Sequence, residues 1–171
     1  MDTVSPDTRS RMMSAIHSRD TKPEVLVRQF LWREGWRFRV CDRRIEGHPD
    51  IVVPRAHALI EVRGCFWHRH GWTWNGRKLV QEAVCDDATW PKSNRAFWND
   101  TFRKNVRRDD RHEALWLEAG WHVAVLWTCG LVPAKREKTL AWLAKKLTSW
   151  SLRGAAAPRR RTARSRRSAA R

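Results

Sequence analysis

Gly47-His-Pro-Asp-Ile-Val-Val-Pro-Arg-Ala-His-Ala-Leu-Ile-Glu-Val-Arg63 is the stretch on which the fold turns. Ile51-Val-Val53 is β-branched and reads as a short strand. Pro54-Arg-Ala56 makes a turn, and His57 to Arg63 reads as the hairpin partner. Side chains two apart on a strand share a face. Glu61 and Arg63 therefore point the same way, with Asp50 at the start of the neighbouring strand.

Outward from this hairpin the periodicity changes. Upstream, residues 1–20 read as an N-terminal helix and its approach, with Ser5-Pro6 as the start. Thr21-Lys-Pro-Glu24 has the spacing of a capping box, and Val25, Leu26, Phe30 and Leu31 form one apolar helical face that Gly35 ends. Trp36 to Val40 alternates apolar and basic residues like a half-buried strand, and Asp42 to Gly47 is a turn. Downstream, residues 64–94 lack clear periodicity and read as a long loop. Asn94 to Ala119 is helical and stops at Gly120, Trp121 to Trp127 is a strand, and Arg136 to Trp150 is an amphipathic helix. Strands interleaved with helices give an α/β fold, a central mixed sheet flanked by helices.

The length of 171 residues suits one domain, residues 1–152, followed by a tail. Residues 153–171 contain only Ala, Arg, Ser, Gly, Thr and Pro, which cannot bury a core and are expected to be disordered. The formal net charge is +17; subtracting the eight arginines of the tail leaves +9 for the body. A basic body suits a polyanion, of which nucleic acid is the commonest. Twelve Trp and no Tyr supply rings for the core, for stacking on bases or for wedging into a base step. No apolar run is long enough to span a membrane, and no secretory core stands at the N-terminus, so a cytoplasmic, nucleoid-associated protein is expected. No seam for dimerisation is visible, which makes a monomer the default.

An Asp at a strand start with Glu-x-Arg on the adjacent strand resembles the PD-(D/E)xK nuclease pattern. The residue types fit the chemistry. Hard carboxylate oxygens hold Mg²⁺, which lowers the pKa of an attacking water, and a basic residue stabilises charge on the phosphate. A second constellation lies in the aperiodic loop. Cys65, His68, His70, Cys85 and Cys129 are thiolate and imidazole donors suited to tetrahedral Zn²⁺. Zinc would fix a loop that has no core of its own. Five candidates for four positions leave one surplus.

At Gly64-Cys-Phe-Trp-His68 the sequence resembles the very short patch repair (Vsr) mismatch endonucleases. The resemblance also rests on Thr8-Arg-Ser-Arg-Met-Met13, Arg19-Asp-Thr-x-x-Glu24, Phe38-Arg-Val40, Gly47-His-Pro-Asp50, the continuation Arg69-His70, Pro91-Lys-Ser-Asn-Arg-Ala-Phe-Trp98, Lys104-Asn-Val-x-Arg-Asp109, Glu118-Ala-Gly-Trp121 and Val125-Leu-Trp-x-Cys129. It spans about residues 8–130. It implies a restriction-endonuclease-like fold, catalytic Mg²⁺, structural Zn²⁺, and nicking of double-stranded DNA beside a T·G mismatch. Downstream repair proteins are the implied further partners.

Carried over residue by residue, Asp50 would bind Mg²⁺ together with the Val62 backbone. His68 would be the catalytic acid or base, and Glu24 an acidic helper. Cys65, His70, Cys85 and Cys129 would hold zinc, which frees His68. Met13, Phe66 and Trp67 would form an apolar wedge beside the mismatch, where unstacking is cheapest. Trp98 and Asn105 match helix positions near the DNA, and Arg63, from the strand pattern, would be the basic residue at the phosphate. Glu61 is a further candidate ligand that the strand pattern supplies and the resemblance does not. Three departures stand out: Val62 where well-known members have Thr, Thr101 where some carry Lys, and Gly71 to Val84 inserted before Cys85.

Overall fold

The computed structural model describes Thr8, the backbone of residues 20–156 and the side chains of residues 20–152. Met13 and the Arg-rich tail beyond Ala156 lie outside the described residues. Helix α1 spans Lys22–Arg33. Strands β1 (Arg39–Val40), β2 (Ile51–Val53) and β3 (Ala58–Arg63) follow, then β4 (Trp72–Trp74), β5 (Leu79–Gln81), helix α2 (Arg95–Glu118), strand β6 (His122–Trp127) and helix α3 (Pro133–Ala156). Among the described residues no helix is long and apolar enough to cross a membrane.

The main sheet has the order β1-β2-β3-β6. β2 and β3 are antiparallel with Ile51 opposite Ile60, whereas β3 and β6 are parallel with Glu61 opposite Val125. A parallel pair needs a long crossover, and α2 lies within it. The hairpin read from the sequence is present, closed by a short 3₁₀ turn over Pro54–Ala56.

Alternation along the strands sorts the core. Ile51, Val53, Ala58, Ile60, Ala124 and Leu126 pack with Val27 and Leu31 of α1 and with Leu140, Leu143 and Leu147 of α3. Val52 and Leu59 point the other way, onto Trp116 of α2. The sheet is therefore the middle of three layers. Each fully buried leucine, such as Leu143 or Leu147, contributes about 2–3 kcal/mol through the apolar area it removes from water.

Glycine closes two helices as the sequence suggests: Gly35 and Gly120 both have positive φ just after the caps of α1 and α2. Two expectations need correction. Only Arg39–Val40 of the segment 36–40 joins the sheet, with both side chains exposed, because it is a two-residue edge strand; Trp36 goes into the core instead. The 64–94 loop contains a second sheet, the β4–β5 hairpin. Its strands are three residues each, too short to show a period, but Asn75-Gly76 between them is a strong hairpin signal.

Candidate active site and metal centre

On the α2 side of the sheet, Val52 and Leu59 are apolar and meet Trp116. Further along the same face the two-residue period brings up Asp50, Glu61 and Arg63 in place of hydrophobes. Helix α2 changes character in step. Phe102, Val106, Asp109 and Trp116 are buried on one stripe, so an acid sits among hydrophobes where the helix passes the strand carboxylates. Gly47 allows the approach to Asp50: with φ +83°, a Cβ there would lie 2.8 Å from the His112 ring and 2.9 Å from Trp116.

Asp50 Oδ2 accepts a 2.8 Å hydrogen bond from the Val62 N–H. The Asp50 N–H in turn donates to Glu61 Oε1 at 3.3 Å. Burial drives the Asp50 carboxyl above its ordinary range, the Glu24 charge adds to that, and the Val62 N–H and the charges of His68 and Arg63 oppose it. Glu61 is pushed up to about 8, first by burial and then by the Asp50 charge. Arg63, as the shared face requires, is near Glu61 (3.8 Å) and Glu113 (3.4 Å). It is only 6% exposed, so it lies beneath the carboxylates and not on the surface.

Glu24 is buried at the start of α1. Its oxygens accept from the Asp20 N–H (3.1 Å) and the Thr21 hydroxyl (2.7 Å). This departs from the expected capping box: the Thr21 hydroxyl is spent on the carboxylate and makes no cap to the helix backbone. Glu24, Asp50, Glu61, Trp67, His68 and Asn105 all line one cleft of about 840 Å³.

His68 Nδ1 lies 2.6 Å from Asp109 Oδ2. Burial alone would raise the Asp109 carboxyl, but the His68 contact and Arg108 hold it below the usual carboxylate range. Asp109 is the residue of this cleft that the sequence reading passed over. The signal was there, since an acid seven residues after Phe102 and seven before Trp116 shares their helical face.

The aromatic candidates are packed, not isolated. Phe66 meets Trp67, Trp98 and Phe102 edge-on at 5.1–5.2 Å. Trp98 is 8% exposed within this cluster. Asn105 Nδ2 donates to the Trp67 carbonyl at 2.9 Å, so it holds the loop.

Cys65, His70, Cys85 and Cys129 bring one ligand atom each within 4.8 Å of one another. His68 is outside this group. A tetrahedral ion with metal–sulfur bonds near 2.3 Å would set ligands roughly 3.8 Å apart, so the set fits a metal with little adjustment. His70 Nδ1 is 3.3 Å from Cys129 Sγ and 3.7 Å from Cys65 Sγ. Burial and the neighbouring thiols push the Cys129 thiol up to about 12, the behaviour of ligands gathered without a counter-charge.

Known proteins are similar to this sequence. The pattern of the family described as DNA mismatch endonuclease Vsr matches residues 1–74. The chain is 38% identical over 130 residues to the Type II nicking enzyme V.NmeAIP of Neisseria meningitidis serogroup A, covering 76% of this chain and 84% of that one. It is 38% identical over 130 residues to the Type II nicking enzyme V.XorIIP of Xanthomonas oryzae pv. oryzae, covering 76% and 86%. It is 36% identical over 144 residues to the DNA mismatch endonuclease Vsr of Escherichia coli K12, covering 84% and 83%. The chain therefore belongs to the Vsr family of DNA mismatch endonucleases.

Proposed function

We propose that this protein nicks duplex DNA beside a T·G mismatch, using Mg²⁺ at Asp50 and a fold of the restriction-endonuclease type stapled by zinc. The observation that carries the reading is the convergence of Asp50, Glu61 and the His68–Asp109 pair in one cleft. Two carboxyls that burial pushes toward neutrality, Glu61 further by the Asp50 charge, call for a cation. An extended residue points its N–H and C=O to the same side, so the Val62 carbonyl faces the Asp50 side and adds a third hard oxygen. A divalent ion bound there supplies charge neutralisation at the phosphate and a more acidic water.

The protein's own groups do the rest. The Val62 N–H fixes the Asp50 carboxylate. Arg63, buried against Glu61, favours the ionised form that a cation needs. Asp109 holds His68 by Nδ1, which leaves Nε2 to take or supply a proton as the water oxygen bonds to phosphorus and an ester P–O bond breaks. Cys65, His70, Cys85 and Cys129 would hold zinc and so fix the loop that carries His68. Phe66 and Trp67 support a mismatch wedge, to which the family resemblance would add Met13, and Glu24 is the acidic helper that lines the same cleft. Residues 1–152 form the catalytic body, and the eight arginines of residues 153–171 add non-specific phosphate attraction.

The test is a nicking assay on duplexes that differ only in T·G against C·G, with and without Mg²⁺, for the wild type and Asp50→Ala. Nicking confined to T·G and Mg²⁺, lost in Asp50→Ala with DNA binding retained, is expected. Equal nicking of both duplexes supports a second reading, an endonuclease without mismatch preference, which the Type II nicking enzyme names of two relatives and Thr101 favour. An active Asp50→Ala protein sinks the site assignment.

A further inference from the structure

The β4–β5 hairpin is not used by the cleft chemistry, and the family match ends at Trp74, the last residue of β4. It is nevertheless mounted rigidly. Gly71, at φ +80°, accepts backbone hydrogen bonds from Glu82 (2.8 Å) and Ala83 (3.1 Å), and a Cβ on it would collide with the Ala83 carbonyl. Trp72 packs edge-on against Trp90 at 5.5 Å. Arg69, fully buried, places its guanidinium 5.1 Å from the Trp72 ring, 4.4 Å from Trp90 and 4.6 Å from Phe102 of α2. Its Nη1 donates to the Thr89 carbonyl at 2.9 Å. A cation committed to an aromatic cage ties the hairpin root to the body.

The far end of the hairpin is different. Asn75 Oδ1 accepts from the Arg77 and Lys78 backbone N–H groups, which shapes the turn without using either side chain. Arg77 and Lys78 are exposed, and neither is ion-paired to a described residue. Arg107 of α2, also exposed, lies over Trp74 at 5.4 Å, so three cations share this side of the molecule. At the root, Trp72, Thr73 and Glu82 line a smaller cleft of about 260 Å³ that His68 and Asp109 also line. The hairpin root thus lies next to the His68–Asp109 pair, in a cleft that Asp50 does not line.

We propose that the β4–β5 hairpin is an added arm that grips the phosphate backbone of the duplex through Arg77 and Lys78. The inference rests on the endonuclease reading for the position of the DNA. A three-residue strand rises about 10 Å, and phosphates along one strand recur every ~3.4 Å, so the hairpin itself reaches over about three base pairs. Contacts to phosphate position the duplex and carry no sequence information, so the arm strengthens binding to matched and mismatched DNA alike.

The test is a salt titration of duplex binding by the full chain and by Arg77→Ala/Lys78→Ala, on T·G and on C·G duplexes. Each phosphate contact contributes about 0.9 to the slope of log K against log [salt], so the double variant should lose about 1.8 on both duplexes. Single-turnover nicking at saturating DNA should be unchanged. An unchanged slope overturns the proposal, as does a loss confined to T·G, which would mean base readout. Because the readout is binding, a wild type that binds but nicks nothing would sink the endonuclease reading and leave this result legible.

Discussion

Consecutive residues of the metal-ligand loop are gripped by consecutive turns of α2: Asn105 holds the Trp67 carbonyl, and Asp109 lies 2.6 Å from Nδ1 of His68. The helix therefore fixes both the ring that would meet the mismatch and the imidazole that would move the proton.

Asp109→Asn tests the second of these contacts. The amide keeps the size but can present its N–H₂ group to Nδ1, which favours the wrong tautomer. General acid–base groups contribute about 10²–10⁴-fold, so the single-turnover nicking rate should fall by that order with duplex Kd unchanged. A variant that nicks at the wild-type rate would remove Asp109 from the mechanism.

Glu61 gives a pH dependence of stability. Its ordinary value is 4.5, and in the folded protein burial and Asp50 push it up to about 8. Between these values the folded state keeps a proton that the unfolded state has released, so stability falls as pH rises through that window. Asp50 is displaced in the same direction and adds to the slope. Without Mg²⁺, Glu61→Gln should therefore melt about 3 °C or more above wild type at pH 8. The gap should close near pH 4, where Glu61 is protonated in both states. A variant that melts below wild type at pH 8 would show that the Arg63 ion pair outweighs the burial of the charge.

How far this site could be read from the sequence depends on the range of the signals. The Ile51–Val53 hairpin with Ala58–Arg63 was legible because the β-branched run and the Pro54 turn are local signals. From the residues alone the four candidate metal ligands were legible only as part of a surplus of donors, which the family resemblance narrowed, since Cys129 reaches the others from the end of β6, 59 residues after His70. Asp109 lies on the buried face of α2, but its partner His68 is 41 residues away, and no local pattern announces that pairing. Arg63 and Trp98 are a different case. Their types suggested contact with DNA, but the sheet buries Arg63 between Glu61 and Glu113, and the helix buries Trp98 among aromatic rings.

The metal centre makes a compositional prediction. Purified protein should contain about one zinc per chain. Stripping it, or Cys129→Ser, should loosen residues 64–94, because thiolate–zinc binding is worth on the order of 10 kcal/mol to small folded elements. Limited proteolysis should then cut in the loop while the β1-β2-β3-β6 sheet stays protected. Protein that contains no metal and resists cleavage throughout would show that packing alone, through Arg69 and the aromatic rings, holds the loop.

The aromatic cluster separates wedge from core. Trp67 lines the cleft and has Phe66 and Trp98 at its back, so its outer face is available to a base step. Trp98 is 8% exposed and contacts Phe66, Phe97 and Phe102. Trp67→Ala should reduce the preference for T·G over C·G duplex by about tenfold, as stacking of one base is worth roughly 1–3 kcal/mol, with a modest change in Tm. Trp98→Ala should do the reverse, costing about 3–5 kcal/mol of stability through the cavity it leaves while the mismatch preference of the folded fraction survives. Phe66, in contact with three rings, should lose on both counts. If Trp67→Ala discriminates T·G as well as wild type, the ring belongs to the core like Trp98, and recognition of the mismatch must come from elsewhere on the cleft wall.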